Sequence, residues 1–267
     1  MLLHDVARGI VEAETLDGKL APIPAGVLDD MRGPALRIAA PGRPPELRIA
    51  SARTVRVPPA AGMRDPAQRA RILHALGNHE LQAVELFAWA LLAFPEAPRL
   101  FRRGLVAILR DEQRHFRLYQ ARLEAHGHRF GDFPVTGHFW NHLGQISSPL
   151  AFVCIMGLTF ENANLDFAQD YARSARAAGD LETAAVLDQV HRDEVRHVRF
   201  AWRWLDRWRG ATPAWDVYRG SMAPPLGPAR ARGRELCIDS RRAAGLDPDF
   251  IARLAEVEPK RPSGAPR

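Results

Sequence analysis

The phrase Arg-Asp-Glu-x-Arg-His-x-Arg occurs twice in this chain, at residues 110–117 and, 82 residues later, at 192–199. Agreement at six of eight positions marks an internally duplicated element. Each copy contains Glu-x-x-His, formed by Glu112 with His115 and by Glu194 with His197. On a helix, positions i and i+3 stand about 60° apart, one turn up the same face. A carboxylate and an imidazole placed in this way can hold one metal ion. Two such helices make a dinuclear site when each of two further helices adds a glutamate. The repeat therefore predicts four long helices.

Proline placement shows where those helices can lie. Of the 21 prolines, nine fall in residues 1–66, four in 67–209 and eight in 210–267. Proline removes a backbone donor and breaks helices, so long helices belong to the middle segment. Asp65-Pro66 is a cap followed by a first-turn proline, and it opens a run that Pro95-Glu96-Ala97-Pro98 closes. A second run goes from Arg99 to His126 and stops at Gly127. Ser148-Pro149 opens a third that ends near Gly179, and Asp180 caps a fourth that ends before Gly210. Links of a few residues join the first run to the second and the third to the fourth, whereas residues 127–148 separate the two pairs. Short, long, short is the connectivity of two antiparallel helical hairpins with one crossover. The expected fold is all-α, a ferritin-like four-helix bundle over residues 67–209. An extended arm, 1–66, precedes it, and a C-terminal arm with a short helix, 210–267, follows.

The remaining two glutamates follow from spacing. Glu161 lies 33 residues before Glu194, and Glu80 lies 32 before Glu112. In an antiparallel hairpin, residues equidistant from the turn share a level, and both pairs centre close to their turns. The expected metal ligands are therefore Glu80, Glu112, His115, Glu161, Glu194 and His197. Glu85 is also present on the first helix, with Asp166 as its repeat mate. Five residues amount to about 500° of helix, so Glu80 and Glu85 cannot both face the metals. Glu80 is favoured, which leaves Glu85 and Asp166 as buried acids for arginines to pair with. Four carboxylates in a dry interior are very costly alone, and two divalent cations would neutralise them. Asp111, Asp193, Arg114 and Arg196, repeated beside the ligands, are expected to support them from behind; surface ion pairing is the alternative. Tyr119, one turn after His115, is a candidate for a role near the site, although a plain core tyrosine is the simpler reading.

Composition narrows the function classes. The chain has 267 residues, two cysteines and a net charge of +6. Two thiols are too few for a disulfide scaffold or a four-cysteine metal site. Of 37 basic residues only Lys19 and Lys260 are lysines, and the arginines are dispersed. The basic character therefore reads as a general surface property, and nucleic acid is not the expected partner. The N-terminal residues lack a signal-peptide layout and no apolar run could span a bilayer, so the expected location is cytoplasmic, without membrane attachment.

The D-E-x-R-H form of the two motifs resembles the ligand motif of di-iron carboxylate proteins, oxygenases and ferroxidases alike. More broadly, the chain resembles an uncharacterised bacterial family of ferritin-like proteins. The matching phrases are Gly42-Arg43-Pro44-Pro45, His79-Glu80-Leu81-Gln82-Ala83-Val84-Glu85-Leu86, Gly131-Asp132-Phe133-Pro134 and the two repeats. The resemblance runs from the arm to about residue 245 and supports Glu80 as the first helix's ligand. Asn78 is a departure, because relatives often carry His there. The resemblance implies a di-iron site but no substrate. A distant similarity to the ferritin-like tRNA hydroxylase family implies a tRNA substrate as a minority reading.

These readings lead to an expected oxidoreductase that binds two iron ions, with manganese or a mixed pair as alternatives. It would activate O2 to oxidise a small organic substrate. Residues on the ligand faces, among them Cys154, Gly157, Asn164, Val198 and Ala201, are small, apolar or softly polar, as an organic pocket requires. No redox-carrier motif is present, so an external electron donor is expected. A ferroxidase is the alternative, a tRNA-modifying hydroxylase a further one, and a homodimer is an open arrangement.

Overall fold

The computed structural model describes residues 1–30, 32–51 and 55–259. The fold is all-α, and its one sheet among the described residues is a two-residue parallel pair, β1 (Ile49–Ala50) with β2 (Val135–Thr136). No helix among those residues is long and apolar enough to cross a membrane. The chain divides into two compact units, Met1–Leu143 with Ser174–Val186, and Gly144–Arg173 with Leu187–Arg267.

The first unit contains α1 (Leu3–Glu12), α2 (Leu16–Lys19), α3 (Pro66–Ala93) and α4 (Arg99–Ala125). The first 66 residues, expected to be extended because of their prolines, begin with helix: all but one of those prolines lie beyond Pro22, leaving residues 3–19 free to coil. In α1 the residues Leu3, Ala7, Ile10 and Val11 are buried, the spacing of an amphipathic helix, and this face packs on α3. α3 starts where its sequence dictates. Asp65 accepts a hydrogen bond from the Gln68 amide at 2.8 Å, and Pro66 occupies the first turn. Every residue from Glu80 to Ala93 is buried, so this helix has no solvent face there. α4 runs back along α3, burying Phe101, Leu105, Leu109, Glu112, Phe116, Tyr119 and Leu123 at intervals of three and four. Each large apolar side chain so enclosed contributes about 1.5–3 kcal/mol of transfer free energy. Arg102 closes the hairpin by donating to the Leu91 and Phe94 carbonyls at 2.7 and 3.1 Å, which meets the acceptors left over at the end of α3.

The link that begins at Gly127 is tied to α3. Asn78 donates to the Thr136 carbonyl at 2.9 Å, and the Phe139 amide donates to Gln82 at 2.9 Å. Asp180 sits in the same unit, capping the next long helix through the Thr183 amide at 3.0 Å and meeting Arg122 at 3.1 Å. Burial works to raise its carboxyl, but hydrogen bonds from Thr183 and His126, with the Arg122 charge, hold it below the usual carboxylate range.

The second unit is built around α5 (Pro149–Phe152), a π-helical segment (Val153–Glu161), α6 (Asn162–Ala177) and α7 (Leu181–Trp208), the last two of which also contribute to the first unit. Ser148 caps the start by accepting from the Ala151 amide at 3.1 Å. The π segment is a finding that the sequence pattern did not predict. Thr159 Oγ1 donates to the Cys154 carbonyl at 2.9 Å across the widened turn. Contacts between Gly157 and Ala201, Asn164 and Glu194, and Gln169 and His191 all centre on Gly179–Asp180. The helices on either side of that turn are therefore antiparallel and in register. The chain then forms α8 (Ala214–Gly220), α9 (Ile238–Ala244) and α10 (Pro248–Glu256). Phe250 gathers Trp202, Trp215 and Tyr218 at ring distances of 5.2, 5.3 and 5.1 Å.

Candidate metal centre

In the first unit the antiparallel register of α3 and α4 brings Glu80, Glu112 and His115 together. Each offers one ligand atom, and these atoms lie within 4.8 Å of one another. His115 Nδ1 is 3.6 Å from Glu80 and 3.5 Å from its i−3 neighbour Glu112. All three side chains are buried. Burial first, and the adjacent Glu112 carboxylate second, push the Glu80 carboxyl well above its usual range. Two carboxylates enclosed side by side cannot both ionise cheaply unless a cation stands between them.

In the second unit Glu161, Glu194 and His197 form the matching cluster, again with one ligand atom each within 4.8 Å of the others. His197 Nδ1 is 3.4 Å from Glu194 Oε2. Asn164 donates to Glu194 Oε1 at 2.9 Å, which fixes the carboxylate plane. Oε2 of the same carboxylate is enclosed and accepts no hydrogen bond among the described residues. A buried carboxylate oxygen in that condition keeps an acceptor site available to a cation. Glu161 stands at the C-terminal end of the π segment, and such segments recur at functional sites.

Both clusters combine carboxylate oxygen with imidazole nitrogen, a donor set suited to iron, manganese or zinc and unsuited to soft thiophilic ions. These buried Glu and His groups could hold a metal ion.

The other residues singled out from the sequence lie around these clusters. Arg114 pairs with Asp111, and Arg196 with Asp193 at 2.6 Å, each on its own helix. Asp193 is fully buried and also accepts from Gln189 at 3.0 Å. Tyr119 is buried one turn after His115 and packs over Gly77. Glu85 is not in the cluster. It is enclosed with Lys19 Nζ at 3.0 Å and Arg43 at 2.8 Å, and it accepts from Trp140 Nε1 at 2.7 Å. Asp166, its repeat mate, takes Arg241 at 2.7 and 2.9 Å and the amides of Gly233 and Cys237. The arginine pairing expected for both acids is thus present, and the lysine is an addition. Asn78 is committed to Arg43 at 3.1 Å and to the Thr136 carbonyl, away from the cluster.

One detail departs from the helical arithmetic. Counting seven residues as two turns puts Cys154 on the face of Glu161. In the π segment the turn is wider, so that count fails, whereas Gly157 does lie beside the Glu161 carboxylate. Burial pushes the Cys154 thiol up to about 12, the behaviour of a packing residue. His191, one turn before Glu194, has its Nε2 at 2.9 Å from Ser240 and 3.1 Å from Gln169, and it is not one of the clustered ligand atoms.

A family profile described as "protein of unknown function (DUF455)" matches residues 9–252. No curated protein and no solved structure matches the chain.

Proposed function

We propose that this chain, which belongs to the DUF455 family, is a ferritin-like di-iron carboxylate oxidoreductase acting with O2 on an organic substrate. The observation that carries the reading is the pair of half-sites. Each has one Glu from one helix and a Glu-x-x-His from the next, each is buried, and the two sit on copies of one repeated phrase. In this reading Glu80, Glu112 and His115 hold one metal and Glu161, Glu194 and His197 the other, within a four-helix bundle. Bound iron would supply the electrons that reduce O2.

The remaining work falls to the chain itself. The four carboxylates match the charge of two divalent ions, so the loaded interior is neutral and tolerates burial. Asn164 orients Glu194 by its hydrogen bond. Arg196 and Gln189 hold Asp193, and Arg114 holds Asp111, keeping the repeated acids in place behind the ligands. Glu80 on α3 and Glu161 on the π segment each lie on a stretch of buried, mostly apolar residues, which favours oxidation of an organic molecule over passage of hydrated iron. Electrons must come from a separate donor.

The test is anaerobic loading with ferrous ion, removal of excess and elemental analysis, followed by exposure to O2. The expected result is about two iron per chain. O2 uptake should then stop at about one per site until a reductant is added. An iron content near zero would remove the reading altogether. Continued oxidation of many ferrous equivalents, with mineral growth and no reductant, would replace it with a ferroxidase.

A further inference from the structure

Within the second unit, a cavity of about 410 Å³ lies between α8, residues 224–230 and Val257. That volume falls among those of small-ligand pockets. Its walls are apolar for the most part, with the Trp215 ring, Pro225, Leu226 and Val257, and its two charged side chains are both arginines, Arg219 and Arg230. Arg219 is exposed and Arg230 is partly enclosed. Arg230 Nε is wholly buried and has no hydrogen-bond partner among the described residues. The protein places no carboxylate against either guanidinium among those residues. Burial alone pulls the Arg230 pKa down, with no acid acting to raise it.

The surroundings of the cavity are packed on the rest of the unit. The short 3-10 turn Pro228–Arg230 packs on the π segment, and Tyr218 of α8 meets Thr159 of that segment at 2.9 Å. A half-enclosed guanidinium with an unmet donor and no counter-charge is costly to keep. Its planar fork matches carboxylate and phosphate oxygens two at a time. The apolar walls beside it favour a hydrocarbon body over a bare inorganic ion.

We infer that this cavity is a binding site for a small organic acid, whose carboxylate or phosphate meets Arg230 and Arg219 and whose apolar body lies against Trp215 and Leu226. The site stands independently of the metal clusters.

Isothermal titration of the full chain with phenylacetate and with phenyl phosphate, each set against neutral phenylacetamide, tests it. At least one acid should bind with a Kd below roughly 1 mM, and the amide about tenfold more weakly or worse. The tighter of the two acids identifies the anionic group. Arg230→Gln should weaken the acid by about tenfold or more, and Arg219→Gln by a smaller factor, with the circular dichroism and iron content of both unchanged. Because Arg219 is exposed, its variant has no folding liability, and together with the salt dependence of wild-type binding it decides the matter if Arg230→Gln does not fold. Failure of both acids to bind with a Kd below roughly 1 mM overturns the proposal. So does equal affinity for the amide, salt-independent binding, or unchanged affinity in the variants.

Discussion

Lys19 Nζ lies 3.0 Å from the Glu85 carboxylate, and both side chains are completely enclosed. The same ammonium donates to the Ile10 and Val11 carbonyls at 3.2 Å, where α1 ends. Burial draws the Lys19 pKa down, and the Glu85 charge opposes that pull. One acid on α3 thereby joins the N-terminal helix, Arg43 and Trp140 into a single buried network.

Removing Glu85 should therefore be a stability lesion and not a metal lesion. Glu85→Ala leaves two buried cations without their anion, at a cost of about 3–5 kcal/mol. Urea unfolding would measure it, and the iron content of the folded fraction should stay normal. Glu80→Ala should show the reverse, with iron binding lost and metal-free stability changed by less than about 2 kcal/mol. If Glu85→Ala emptied the site while Glu80→Ala left it full, the ligand assignment on α3 would be wrong.

Asn164 offers a milder perturbation. Its amide is the hydrogen-bond donor to Glu194 Oε1, so Asn164→Leu should leave the fold intact and weaken metal affinity about 10–100-fold. Competition with a chelator reads that change. Affinity equal to wild type would show that Glu194 needs no such support.

Gly157 is required by close approach. A Cβ at this position would overlap that of Ala201 on α7, beside the Glu161 carboxylate. Gly157→Ala should cost about 1–3 kcal/mol and reduce metal binding, because it forces the π segment away from α7. Adding Ala201→Gly should restore most of both. A double variant no better than the single one would place the conflict elsewhere.

His74 gives the first unit a pH dependence. Its Nε2 accepts from the Gly131 amide at 3.0 Å, and its ring stacks on Phe130 at 4.6 Å. Burial holds its pKa down to about 4, against a slight upward pull from Asp132. The folded state therefore favours the neutral ring. The stability this provides is complete above the ordinary histidine pKa near 6.5 and is lost as pH falls toward 4. The loss should reach about 3 kcal/mol at most. His74→Gln keeps an acceptor without a titrating group, so its unfolding free energy should fall less steeply over that range. Parallel profiles for the two proteins would exclude His74 as the source.

Much of this was legible because the informative residues act locally. Asp65 and Ser148 cap the helices that their following prolines open, and Gly179 with Asp180 turns the chain where the punctuation placed a turn. The two clusters could be read because i, i+3 spacing and antiparallel register are short-range rules. The π segment was not legible. Residues 150–160 are apolar on every side, so no periodicity in them distinguishes a wide turn from a normal one. The helix at residues 3–12 stands at the head of a proline-rich segment whose overall composition masks its amphipathic spacing. The pairing of Lys19 with Glu85 spans 66 residues, and no local pattern announces a contact at that range.

Glu85 and Asp166 occupy equivalent places in the duplicated sequence, and both are acids sealed inside the protein. Their cations come from opposite ends of the chain, Lys19 and Arg43 from before the first copy and Arg241 from after the second. The duplicated acids thus share a position and differ in their partners: the segment before the first copy neutralises one, and the segment after the second neutralises the other. Loss of either segment would therefore leave a buried charge unanswered in one copy alone.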